Sequence, residues 1–237
     1  MRLLVSVLTL LLAVVAVRAD DGVLARRADR AFAEGEWSQA QAMYSVLLGR
    51  PQAPARPYAR AIISAAMQAD TAGVRTLADR AMADAVPLDS LLRGVETDSY
   101  SLRNGDIYPW LLTDMAQRMP YMRRAMLLRM LNYYIYRADA PNTIACVRSL
   151  LDGLPDDVGF LGILADAQFK TGDSEGAVAT CTRILELDPD NYEALLALAN
   201  HYDAAGDTTR ALESFRRAAA VRPTPYVDAR ITALSAK

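Results

Sequence analysis

The spacing of like residues constrains this chain more than any other feature: Pro155, Pro189 and Pro223 recur at a constant interval of 34, and Asp139, Asp173 and Asp207 keep the same interval. A fixed period between roughly 20 and 50 residues marks an array in which each unit is one supersecondary element, burying its apolar face only against its neighbours. Such a chain stacks rather than collapsing around one centre, and its function resides on a surface.

The stretch from Tyr192 to Pro225 shows the unit most clearly. Leu195, Leu198, Ala199 and Tyr202 recur with helical spacing, Gly206-Asp207 interrupts, and Ala211, Phe215 and Ala218 resume on one face. Two short antiparallel helices are expected. Glycine ends the first in a left-handed conformation at little steric cost, the aspartate caps the second, and Pro223 closes the unit. One period earlier, Leu161, Leu164 and Ala165 precede Gly172-Asp173, followed by Ala177, Cys181 and Ile184. Another step back, Leu127, Met130, Leu131 and Tyr134 precede Asp139, with Ala138 in place of the glycine. Near the other end, Gly35-Glu36-Trp37, Ala40, Tyr44 and Leu47 repeat the turn and second helix, and Asp70, Val74, Ala78 and Ala81 follow in phase.

From Asp70 to Asp139 is two periods plus one residue, so the third unit carries an extra residue, with Gly105-Asp106 one or two places off phase. The expected units span residues 21–54, 55–88, 89–123, 124–157, 158–191 and 192–225. Residues 226–237, with Val227, Ile231 and Leu234 at helical spacing, form a capping helix over the last apolar face.

These residues resemble the tetratricopeptide repeat pattern over essentially all of residues 21–225, best in the fifth and sixth units and poorly in the third. The resemblance implies an all-α, right-handed superhelical solenoid of about six helix–turn–helix repeats, of the exported bacterial type. Its concave groove, lined by the first helix of each unit, would hold a peptide or a partner's helix. Carried over by resemblance, the ninth position of units four to six gives Asn132, Asp166 and Asn200; the twelfth and thirteenth give Tyr136, Phe169, Lys170 and Asp203, among others; and the second position of the last unit gives Glu193. Amides and carboxylates there suit the main chain of an extended ligand, and Tyr136 and Phe169 offer rigid apolar contact. The same polar row also serves simply to keep an exposed face in water. The family's clamp for a chaperone tail needs a lysine where this chain has Leu128, which disfavours that partner. The third unit and the start of the fourth are the richest in aromatics, and Tyr100, Tyr108 and Trp110 form a candidate interface there if they are not packing filler.

The segment from Met1 to Ala19 differs from the rest. Arg2 precedes an apolar run from Leu3 to Val17, and Val17-Arg18-Ala19 offers small cleavage residues. This reads as a secretory signal; the alternative is an uncleaved anchor, for which about 15 apolar residues are short of the roughly 20 that span a bilayer. With no cysteine near the cut, the expectation is a periplasmic or secreted protein without a lipid anchor. Cleavage after Ala19 takes the formal charge from −2 to −4, and an acidic chain makes a poor nucleic-acid binder. Cys146 and Cys181, about one repeat apart, are expected as inert core thiols.

Catalysis is disfavoured. His201 is the only histidine, no nucleophile has an assignable base, and no glycine-rich phosphate loop is present. No cofactor or metal is expected, because the carboxylates of Asp156, Asp157, Asp188 and Asp190 fall at turns between units. The expected function is a non-enzymatic scaffold of the cell envelope, the alternative being an accessory subunit of an envelope or glycan-handling enzyme complex docked through the aromatic third unit.

Overall fold

The structure, a computed structural model, describes residues 21–50 and 53–236. The secretory segment read from residues 1–19 lies outside them. Every regular element among the described residues is helical. In chain order these are α1 (21–33), α2 (Trp37–Leu48), α3 (Ala55–Met67), α4 (Thr71–Ala83), α5 (Leu88–Ser101), α6 (Ile107–Arg118), a 3-10 turn (Pro120–Met122), α7 (Arg123–Tyr136), α8 (Ala140–Leu151), α9 (Val158–Thr171), α10 (Ser174–Leu187), α11 (Tyr192–Ala204), α12 (Thr208–Val221) and α13 (Pro225–Ser235). The chain is an all-α helical-repeat solenoid. It divides into two compact units, the first ending at Leu111 and the second beginning at Leu112.

One turn motif explains the period. The backbone adopts a positive φ at Gly35, Ala69, Arg103, Ala138, Gly172 and Gly206, a series that keeps the sequence interval except for one extra residue between Arg103 and Ala138. After each of these residues, the next N–H donates to the carbonyl five residues back: Glu36 to Ala31, Asp70 to Ala65, Asn104 to Ser99, Asp139 to Tyr134, Asp173 to Gln168 and Asp207 to Tyr202, all at 2.8–3.1 Å. This bond satisfies a carbonyl that the helix end would otherwise leave without a partner.

The third turn corrects the sequence reading. The left-handed residue of this turn is Arg103, in phase with Ala69, two residues ahead of Gly105-Asp106. A left-handed conformation costs a residue with a β-carbon about 1 kcal/mol, a cost that helix packing on either side offsets. The extra residue falls between Arg103 and Ala138.

The turn aspartates then start the following helices. Asp70, Asp139, Asp173 and Asp207 accept hydrogen bonds from the backbone N–H of Gly73, Asn142, Gly176 and Arg210 at 2.8–3.2 Å. Each such cap is worth about 1 kcal/mol. At the other corners, Pro155, Pro189 and Pro223 follow the ends of α8, α10 and α12, where no helical amide is needed. Arginines tie successive hairpins there: Arg80 donates to the Leu48 carbonyl at 2.5 Å, Arg183 to Asp156 at 2.7 Å and Arg217 to the Pro189 carbonyl at 3.1 Å.

In the second unit the core is a relay of local clusters. Leu131, Cys146, Val147, Leu150 and Leu164 join α7, α8 and α9. Leu161, Cys181, Ile184 and Leu198 join α9, α10 and α11, and Ala199, Phe215, Val227 and Leu234 join α11, α12 and α13. The first unit centres instead on α3, which packs against α2, α4 and α5. Arg60 on α3 is 12% exposed, pairs with Asp29 of α1 at 2.7 Å and Asp98 of α5 at 2.9 Å, and lies over the Phe32 ring at 4.9 Å. The Tyr44 hydroxyl donates to the same Asp29 at 2.7 Å. Burial opposes the Arg60 charge, but hydrogen bonds to Asp98 and Tyr44 hold its pKa above the ordinary value.

Candidate interaction groove

Helix α9 positions the groove. Asp157 caps its start through the Phe160 N–H at 3.0 Å, and Gly172 ends it with φ 81°. One face buries Leu161, Leu164, Ala165 and Gln168 in the core, while Gly159, Gly162, Asp166 and Lys170 lie on the more open side. Asp166 and Lys170 pair at 2.7 Å one helical turn apart. Both are well exposed, so the pair adds only a few tenths of a kcal/mol.

Two cavities meet on this face. One, of about 450 Å³, is lined by Val158, Asp166 and Phe169 of α9 and by Glu193, Ala194 and Ala197 of α11. The other, of about 410 Å³, adds Ile135 and Ala138 from the end of α7, Ala140 and Thr143 of α8, and Lys170. Gly159, Gly162, Asp166 and Glu193 line both, so the two are one continuous groove floored by helical backbone. A β-carbon on Gly162 would meet nothing within 4 Å. No described neighbour within the chain requires the glycine, and its presence costs the helix about 1 kcal/mol relative to alanine. Gly159 and Gly162 were missed in the sequence because glycine carries no side-chain chemistry; their position at helical spacing on the open side of α9 was the available signal.

The structure brings Asp166, Phe169, Lys170 and Glu193 together around the groove. Asn132 and Tyr136 are exposed on α7, Tyr136 to 85%. Phe169 packs against the core and stacks with His201 at 5.4 Å, and His201 also faces Tyr202 at 5.5 Å.

The last repeat departs from the expectation. The Tyr226 hydroxyl donates to Asn200 at 2.7 Å, and Arg230 pairs with Asp203. Both donors belong to α13, which buries Val227 and Leu234 against α11 and α12. Asn200 and Asp203 are thereby held by the terminal helix of their own chain. Glu193 pairs with Arg222 at 2.8 Å, and that guanidinium lies 3.6 Å from the Tyr192 ring centroid.

The aromatic set is also divided. Tyr108 is 2% exposed, because its position on α6 points into the core, and it is too deep to anchor an interface. Tyr100 is 63% exposed. Trp110 is half-buried and lines a separate cavity of about 270 Å³ with Val74, Asn104 and Ile107.

Cys146 and Cys181 are free and buried, and burial pushes both thiols up to about 11, which keeps them protonated near neutral pH. No group of three or more potential metal ligands occurs among the described residues, and no helix there is long and apolar enough to cross a membrane.

Family models described as tetratricopeptide repeat match residues 131–192 and 168–237. Residues 131–237 of the chain are tetratricopeptide repeats. These repeats run from α7 to the terminal helix, and the groove on α9 lies inside them. A 60-residue segment is 38% identical to the CTR9 homologue of Arabidopsis thaliana, covering 25% of this chain and 6% of that protein. Among solved structures, the C-terminal part of a tetratricopeptide repeat protein from Cytophaga hutchinsonii is 14% identical with a TM-score of 0.48, over 83% of this chain and 78% of that one. The complex of the yeast Sti1 TPR2AB domain with pHSP90 is 12% identical with a TM-score of 0.40, over 92% and 99% of the two chains.

Proposed function

We propose that this protein is a non-enzymatic interaction scaffold that holds a peptide or a partner's helix along α9. The observation that carries this reading is the bare backbone at Gly162: a destabilising residue is kept at a position where the chain itself leaves open space, on the floor of a groove. Removing side chains from a helix face lets another backbone approach closely, and Asp166, Lys170 and Glu193 at the margin supply polar contacts of both signs. Among the described residues lining the site there is no nucleophile–base pairing of the kind that catalysis needs.

The segment from Met1 to Ala19 supports a place in the cell envelope, periplasmic or secreted after cleavage. Burial of Tyr108 weakens the alternative of docking through the aromatic third unit by removing one of its anchors.

The test is Gly162→Leu in the full-length chain, with partners recovered from envelope extracts by co-purification. The substitution fills the groove floor without touching the core, so the melting temperature holds or rises while partner recovery falls by about tenfold or more. Undiminished recovery overturns the groove reading.

A further inference from the structure

The array breaks its period once, between Arg103 and Ala138, and beside the 3-10 turn in that stretch opens a cavity of about 560 Å³. It shares no lining residue with the α9 groove: Cys146 lines the cavity and Cys181 the groove. Its apolar lining comes from Leu127, Met130 and Tyr134 of α7 and Cys146 of α8, and Thr113 and Gln117 of α6 and Asn142 and Ser149 of α8 add polar groups.

The electrostatics distinguish it from the groove. Among the described residues, Arg123 is the one charged side chain lining the cavity, and no carboxylate lines it. Asp139 lies close by, but its carboxylate accepts from both the backbone N–H and the side-chain amide of Asn142, at 3.2 and 2.8 Å. Arg123 is exposed and has no ion-pair partner among the described residues. The neighbouring Arg124 lies over the Phe160 ring at 5.6 Å, and Tyr121, on the same short turn, is 80% exposed. An exposed aromatic and an arginine beside an apolar cleft make the composition of a protein-interface centre.

We propose that this cavity is a second docking site, which seats an apolar side chain of a protein partner while an adjacent carboxylate of that partner pairs with Arg123. The carboxylate and guanidinium form a charge-assisted pair, and the apolar lining sets which side chain enters. The scaffold then offers two independent surfaces, one floored by backbone and one charge-selective.

A display library of random short peptides, panned against the full chain, tests this, with the selected peptides measured by fluorescence polarisation. The expected binders place Asp or Glu beside a large apolar residue. Their affinity falls about tenfold or more with Arg123→Glu, and equally with Ala145→Trp, which fills the cavity from α8. Arg123→Lys retains most of the binding, and Gly162→Leu leaves it unchanged. Because Arg123 is exposed and Ala145 opens onto the cavity, the variants keep the parent melting temperature. Absence of acidic-apolar binders, or binders whose affinity ignores Arg123→Glu or follows Gly162→Leu, overturns the proposal; the groove reading stands or falls separately on its own variant.

Discussion

The first unit gathers its helices around the guanidinium of Arg60, bonded to carboxylates on α1 and α5, whereas the second passes from one apolar three-helix cluster to the next. The two also differ at their turns. In the first unit a glycine turn is followed by alanine and arginine turns, while the second has alanine and then two glycines. A hairpin array can thus be held by local apolar packing or by a shared ion network, provided the backbone turn is kept. A consequence follows for stability. Loss of an apolar anchor should loosen the helices of its own cluster, while loss of the central cation should reach every helix it joins.

The largest expected effect is at Phe215, fully buried between α11 and α13: Phe215→Ala leaves a cavity and costs about 4 kcal/mol by chemical denaturation. Arg60→Ala is next at about 3 kcal/mol, since it leaves Asp29 and Asp98 facing a half-buried site without their cation. A loss under about 1 kcal/mol would show that the first unit does not depend on its ion network.

High pH separates the units by another route. Burial raises the thiols of Cys146 and Cys181 from 9 to about 11, so the folded state keeps protons that the unfolded chain releases. Their contribution is full below about pH 9 and is lost as pH rises to about 11. In the first unit, burial and the bond to Asp84 push Tyr58 from 10 up to about 12, which moves its loss to between about pH 10 and 12. Melting temperature should therefore begin to fall above about pH 9, and the double substitution Cys146→Ala, Cys181→Ala should flatten that early slope without altering the later one.

At the turns, Gly206→Val forces a β-branched residue into φ 78° and should cost about 1–2 kcal/mol. The converse, Ala138→Gly at φ 54°, should stabilise by about 0.5–1 kcal/mol. Thermal melts read both, and effects of the opposite sign would sink the turn assignment.

The period made the hairpins of the second unit legible in the sequence, because Gly172-Asp173 and Gly206-Asp207 carry the turn chemistry in their side-chain identities. Arg103 was not legible. Its turn depends on a backbone conformation that arginine does not advertise, and a nearby Gly-Asp pair offered a more conventional place to turn. The ion network escaped for a related reason: Asp29, Arg60 and Asp98 occupy non-equivalent repeat positions, so periodicity does not bring them together. In the groove, Asp166, Phe169, Lys170 and Glu193 followed from their register, while Asn200 and Asp203 were read without allowing for Tyr226 and Arg230. Those two stand four residues apart on the terminal helix and therefore reach the same face of α11.

Amide hydrogen exchange of the full-length Phe215→Ala variant, compared with the parent chain, tests most directly whether the core is a relay of local clusters. Faster exchange should appear in α11, α12 and α13 and fade through α10 and α9, with α3 and α5 keeping the parent rates. Equal acceleration in α3 and α5 would instead reveal one cooperative core and contradict stacking by neighbours alone.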